Sequence, residues 1–204
     1  MKSLGYVFLC SILLSLSSPA LADVFVAPFA GYSVGSDGID LTRYDDGAGK
    51  QQDSAHAGIM LGLSQGRYGD VYLLYSRQRS DLLADQGYGY DAIDRMTLEY
   101  WHLGGTLYFS QSDLRPYVGS SIGLTRFSPD SSVDATNRFS LGLAAGVTYA
   151  LSNNLALFAE LRTFATFFGN DSGLSCGRDD DCRWYISRDT FWQGQANLGL
   201  QLRF

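Results

Sequence analysis

The side chains of this 204-residue chain that could do chemistry are few and scattered. A histidine beside a serine and an acid would activate a hydrolytic nucleophile. The two histidines of this chain are His56 and His102. Ser64 shares a strand face with His56 but lies too far along an extended chain to hydrogen-bond to it. Carboxylates and guanidiniums form a second group. Glu160 and Arg162 stand two apart, which puts them on one face of a strand. Glu99, Arg77 and Arg203 also sit within mainly apolar stretches. Cys176 and Cys182 flank Asp179-Asp180-Asp181. None of these groups sits in a compact motif, so the elements that carry them decide what they can do.

The clearest element is the last, Thr190 to Phe204. Ala196, Leu198, Leu200, Leu202 and Phe204 alternate there with Gln195, Asn197, Gly199, Gln201 and Arg203. Strict period two is a strand with two different faces. A bare alternating strand at a chain end leaves a sticky edge in a soluble protein. Pairing last strand to first removes that edge, which is how a membrane barrel closes.

At the other end, residues 1–22 read as an export signal. Lys2 supplies positive charge, Leu4 to Leu16 an apolar run too short to span a bilayer, and Ala20-Leu21-Ala22 a cleavage site. The mature chain, 23–204, is then one domain.

Seven further segments precede the terminal strand: Val24 to Tyr32, Ala55 to Ser64, Asp70 to Gln78, Arg95 to Phe109, Pro116 to Arg126, Arg138 to Leu151 and Leu155 to Phe168. In the sixth, Phe139, Leu141, Leu143, Ala145, Val147, Tyr149 and Leu151 alternate with small or polar residues. Connections after even-numbered segments are short (Gln65 to Gly69, Gln111 to Arg115, Ser152 to Asn154). Those after odd-numbered segments are long (Ser33 to Ser54, Arg79 to Asp94, Ser128 to Asn137, Gly169 to Asp189). Such alternation marks an outer-membrane barrel with periplasmic turns and outer loops. The expected fold is therefore all-β: an eight-stranded antiparallel transmembrane up-and-down barrel.

The signal segment, R-P-Y-V-G-S-S-I-G-L, R-F-S-L-G-L-A-A-G-V-T-Y-A-L and the terminal L-G-L-Q-L-R-F together resemble the small eight-stranded outer-membrane barrels of the OmpA-like and Opa-like surface-antigen superfamily. The resemblance spans the mature chain and implies a surface structural or adhesion-type protein of a Gram-negative outer membrane. It also implies that Phe204 is the signal read by the barrel-assembly machinery. The sequence ends at strand eight, so the peptidoglycan-binding domain of two-domain members is not expected. Some barrels of this size modify lipid A, but E-Y-W-H-L-G-G around His102 lacks the serine that a deacylase-type motif has two residues on. An enzyme is therefore not expected, nor any cofactor or metal. A narrow channel for ions or small apolar solutes is the alternative function.

With the apolar parity on lipid, Glu160, Arg162, Gln201 and Arg203 point into a lumen that side chains can fill. Charges there need partners. Glu99, Glu160, Arg162, Arg203 and Arg77 are thus expected to form a lumen network, as structure or as a gate. Placing Glu99 inside also turns Trp101 and Leu103 inward and His102 to lipid, the least tidy feature of the pattern.

The long loops hold sixteen of the 21 acidic residues but only six of the 15 basic ones, a surplus of about ten negative charges. Such a surface disfavours nucleic acid. Expected partners are outer-membrane lipids and lipopolysaccharide, the assembly machinery, and a host or phage receptor at the loops, with the barrel itself a monomer. Cys176 and Cys182, in an exported chain, point to a disulfide; a zinc pair would want further ligands. The three adjacent aspartates do not follow calcium-loop spacing.

Overall fold

Residues 23–35, 37–40, 48–65, 68–85, 90–130, 135–168, 185–186 and 190–204 are described by the computed structural model. The expected export signal over 1–22, and Cys176 and Cys182, lie outside them.

Eight long strands form the wall: β1 (Asp23–Gly35), β4 (Ser54–Ser64), β5 (Gly69–Asp85), β6 (Tyr90–Tyr108), β7 (Leu114–Pro129), β8 (Thr136–Ala150), β9 (Leu155–Phe167) and β11 (Thr190–Arg203). Three short ones, β2 (Asp37–Asp40), β3 (Ala48–Gln51) and β10 (Tyr185–Ile186), belong to the long connections. Each wall strand pairs antiparallel with its neighbours, and β11 pairs with β1, so the ring is closed. Closure satisfies the backbone without water, which a bilayer demands of any spanning sheet. At the seam the β1–β11 ladder lapses at Ala27 and Pro28, because proline has no N–H to give.

The period-two pattern becomes two surfaces. Leu141, Leu143, Leu161, Leu198 and Leu200 face out and are exposed to the lipid side. Phe25, Phe29, Tyr72, Tyr100, Phe158 and Phe164 face in and are buried. Rings are accommodated inside because an adjacent strand places glycine beneath them. A Cβ on Gly146 would lie 2.7 Å from the Tyr117 ring, and one on Gly104 2.7 Å from that of Tyr72.

The turns are tight. Ser152 Oγ accepts from the backbone N–H of Leu155 at 3.2 Å, and Leu151 N–H donates to Leu155 O at 2.9 Å.

Two boundaries differ from the sequence expectation. The third and fourth segments continue as β5 and β6 through much of Arg79 to Asp94, paired from Arg79↔Thr97 to Asp85↔Tyr90 with one bulge at Leu82/Leu83. In the first long connection β2 and β3 extend the sheet from β5, and β10 joins β2. Beyond the bilayer neither face meets lipid, so hydrophobic alternation fades although the backbone ladder persists.

Candidate functional site in the barrel lumen

Strand parity places Glu160 and Arg162 of β9 inside, with side chains 2% and 1% exposed. Their contact is a two-pronged fork: Arg162 Nε donates to Glu160 Oε1 at 2.8 Å and Nη2 to Oε2 at 2.9 Å. Three other strands satisfy the remaining positions. Arg162 Nη1 donates to Tyr72 Oη at 3.2 Å, while Tyr117 O–H and Asn197 Nδ2 donate to Glu160 at 3.0 and 3.1 Å. A buried pair is tolerable when its geometry is good and the leftover lone pairs are used. Both conditions hold here.

The same network fixes a histidine. Asn197 turns its amide nitrogen to Glu160, so its oxygen faces His56 Nε2, which must then carry the proton. His56 Nδ1 is left to accept from the Ser33 hydroxyl at 2.8 Å. One hydrogen-bonded chain therefore links β1, β4, β11 and β9.

A second layer lies towards the long loops. Tyr100 stacks on Phe164 with ring centres 4.0 Å apart. Its hydroxyl donates to Gln193, which donates in turn to Gln78. His102, buried between Ser121 (3.0 Å) and Ser140 (2.8 Å), stands edge-on to Phe164. Towards the short turns, Asp70 accepts from Tyr108 at 2.6 Å and Gln201 at 3.2 Å beside a cavity of about 20 Å³. That space holds about one water. Asp70 Oδ1 and Thr106 Oγ1, both on residues lining the cavity, lack a partner among the described residues.

Three expectations about charge need correction or refinement. Glu99 and Arg77 are not in the lumen. They face outward, 4.0 Å apart, with side chains 19% and 47% exposed, and Glu99 accepts from the outward Tyr75 at 2.7 Å. The inward parity of β6 is instead Leu98, Tyr100 and His102, so Trp101 and Leu103 meet lipid and His102 does not. A large apolar surface outside outweighs keeping one interfacial carboxylate inside. Arg203 does have inward parity, but it sits at the short-turn mouth beside Gln201 at 3.4 Å, away from the central fork. Phe204 is exposed, and its N–H donates to Val24 O at 2.9 Å across the seam.

Sequence reasoning overlooked the serines that meet the histidines, because Ser33, Ser121 and Ser140 arrive from other strands. A serine–histidine contact alone does not make a nucleophile. No carboxylate hydrogen-bonds either ring among the described residues, and all five side chains are buried.

The profile of the outer membrane protein beta-barrel domain matches residues 8–204, from ahead of the first strand to the last residue. This chain belongs to that family. Among solved structures, an outer-membrane-barrel likeness is found in Neisserial surface protein A (17% identity, covering 89% of this chain and 97% of the other, TM-score 0.61). Another is the outer membrane protein OprG from Pseudomonas aeruginosa (12% identity, 90% and 96% covered, TM-score 0.63). At such identities the likeness speaks for fold. No curated protein matches the chain. As an outer membrane β-barrel of the small type, it has a lumen of the width that eight strands allow, filled by its own side chains.

Proposed function

We propose that this barrel is a membrane anchor that presents a contact surface outside the cell, with a structural or adhesion-type role and no catalytic one. The observation that carries the reading is the packed lumen. The Arg162–Glu160 fork, carried across to Tyr72, and the Tyr100–Phe164 stack fill the lumen in buried layers. Support also comes from the outer end, where β5 and β6 run on beyond the lipid-facing rows and carry β2, β3 and β10 as an extended sheet. In this reading the chain enters a Gram-negative outer membrane after export on residues 1–22, and Phe204 guides assembly. The acidic outer loops, stapled by Cys176 and Cys182, meet a receptor on host or phage.

Single-channel recording in a planar bilayer tests the anchor: steady baseline is expected, and discrete steps would overturn it. Deleting residues 176–182 is expected to reduce binding of displaying cells to host surfaces; unchanged binding would remove that loop from the proposal.

A narrow channel is the second reading. Both amide atoms of the buried Gln195, and the Ser76 hydroxyl, have no partner among the described residues and so mark places for lumenal water. On that reading Arg162–Glu160 is the gate, and Arg162→Ala would turn a silent barrel into a conducting one.

A further inference from the structure

The outward residues of β5 to β8 change character in the same order along each strand, and that order records where the bilayer ends. Leu73, Leu103, Ile122 and Leu141 are cross-strand neighbours and make an aliphatic row. One step towards the long loops comes Tyr75, Trp101, Leu124 and Phe139, a row containing three aromatics, with Tyr75 and Trp101 rings 4.4 Å apart. The next row is Arg77, Glu99, Arg126 and Asn137, and above it stands Arg79 beside Thr97 and Ser128. Aliphatic, aromatic and then charged is the sequence met on passing from acyl chains into headgroups.

The charged level is basic. Arg77, Arg79 and Arg126 are all exposed and surround a single carboxylate, Glu99, which leaves two positive charges in excess. Arg79 and Arg126 have no hydrogen-bond or ion-pair partner among the described residues. One row higher, Arg95 is held by Asp81 at 3.0 Å, so that level is balanced. A basic band on a chain whose outer loops are strongly acidic requires a local reason. Arg77 and Arg126 flank β6, two strand spacings or about 10 Å apart. Guanidiniums offer planar forks suited to phosphate oxygens.

Below this band the same wall is concave. A groove of about 530 Å³ runs across β6 to β11, lined mainly by apolar groups of Leu103, Ile122, Leu141, Leu143, Phe167 and Trp192. Head site and groove are separated by one row, the distance an amphiphile spans between its polar and apolar parts.

We propose that Arg77, Arg79 and Arg126 seat the phosphates of a bis-phosphorylated glycolipid of the outer leaflet, lipid A in class, with an acyl chain in the groove beneath. Two excess charges match a lipid with two phosphates better than a singly charged phospholipid. Glu99 opposes the headgroup and tempers the site.

The test uses the whole refolded barrel with lipid retention read by native mass spectrometry. Bis-phosphoryl lipid A, its fully dephosphorylated form and phosphatidylglycerol are the probes. Retention of the first should fall at least about tenfold in Arg77→Gln/Arg126→Gln, two charge-assisted contacts being lost. Glu99→Gln should retain more of it than the native barrel. Boiled and unboiled gel migration checks closure of each variant; if the double variant fails to close, Arg79→Gln and Glu99→Gln carry the test. Unchanged retention in the variants would overturn the proposal. So would equal retention of dephosphorylated lipid A, or of phosphatidylglycerol, by the native barrel.

Discussion

The barrel contains two Arg–Glu contacts that look alike on paper and differ in almost every physical respect. Arg162 and Glu160 meet through a double fork at 2.8 and 2.9 Å, hidden from solvent, with Tyr72, Tyr117 and Asn197 using the remaining valences. Arg77 and Glu99 meet at 4.0 Å on the outer wall, partly exposed, with Tyr75 as the added partner. Inside, each charge depends on the other because both are shielded from bulk solvent. Outside, each charge has alternatives, and that makes the outer pair available to something else. Burial, more than residue type, decides whether such a contact is structure or surface.

The sharpest way to break the comparison is to remove one inner partner. Arg162→Ala strands a buried carboxylate and should cost about 3 to 5 kcal/mol, read as a lower urea midpoint for unfolding from lipid vesicles. Arg162→Met with Glu160→Leu should cost less than Arg162→Ala alone, since no lone charge remains. A smaller effect is expected when the support is disturbed and the pair itself is left. Tyr117→Phe removes the O–H that donates to Glu160 and leaves a buried acceptor short of one partner, at about 1 to 3 kcal/mol by the same assay. Smallest of all, Arg77→Ala should shift stability by less than about 1 kcal/mol, and that shift should shrink further in high salt. A salt-insensitive loss of several kcal/mol at Arg77 would erase the distinction between the two pairs.

How much of this was legible depended on the strand. From Phe139 on β8 and from Ala196 on β11 every second residue is aliphatic or aromatic, so both faces and the ring closure could be read directly. Glu160 and Arg162 were legible as inward neighbours because they share one strand and one parity. Their partners were not: Asn197 and Tyr72 come from β11 and β5, and a contact across the lumen leaves no trace in local spacing. On β6 both parities carry bulky groups, Leu98, Tyr100 and His102 against Glu99, Trp101 and Leu103. The rule that charges point inward then chose the wrong face. That rule holds at the bilayer centre and weakens at its edge, where an outward carboxylate remains in reach of water. The extensions of β5 and β6 were hidden for a related reason, since a ladder in water on both faces needs no alternation.

Pro28 gives the ring a beginning. Around most of the wall each strand is joined to the next by an unbroken ladder, whereas the β1–β11 ladder has a gap where proline cannot donate. The seam is also where the two ends of the chain meet, with no covalent turn to hold them together. Under a sideways load, the gap at Pro28 concentrates the strain on the bonds either side of it. The closed barrel is thus, in mechanical terms, a sheet with a zip, and Pro28 is the missing tooth.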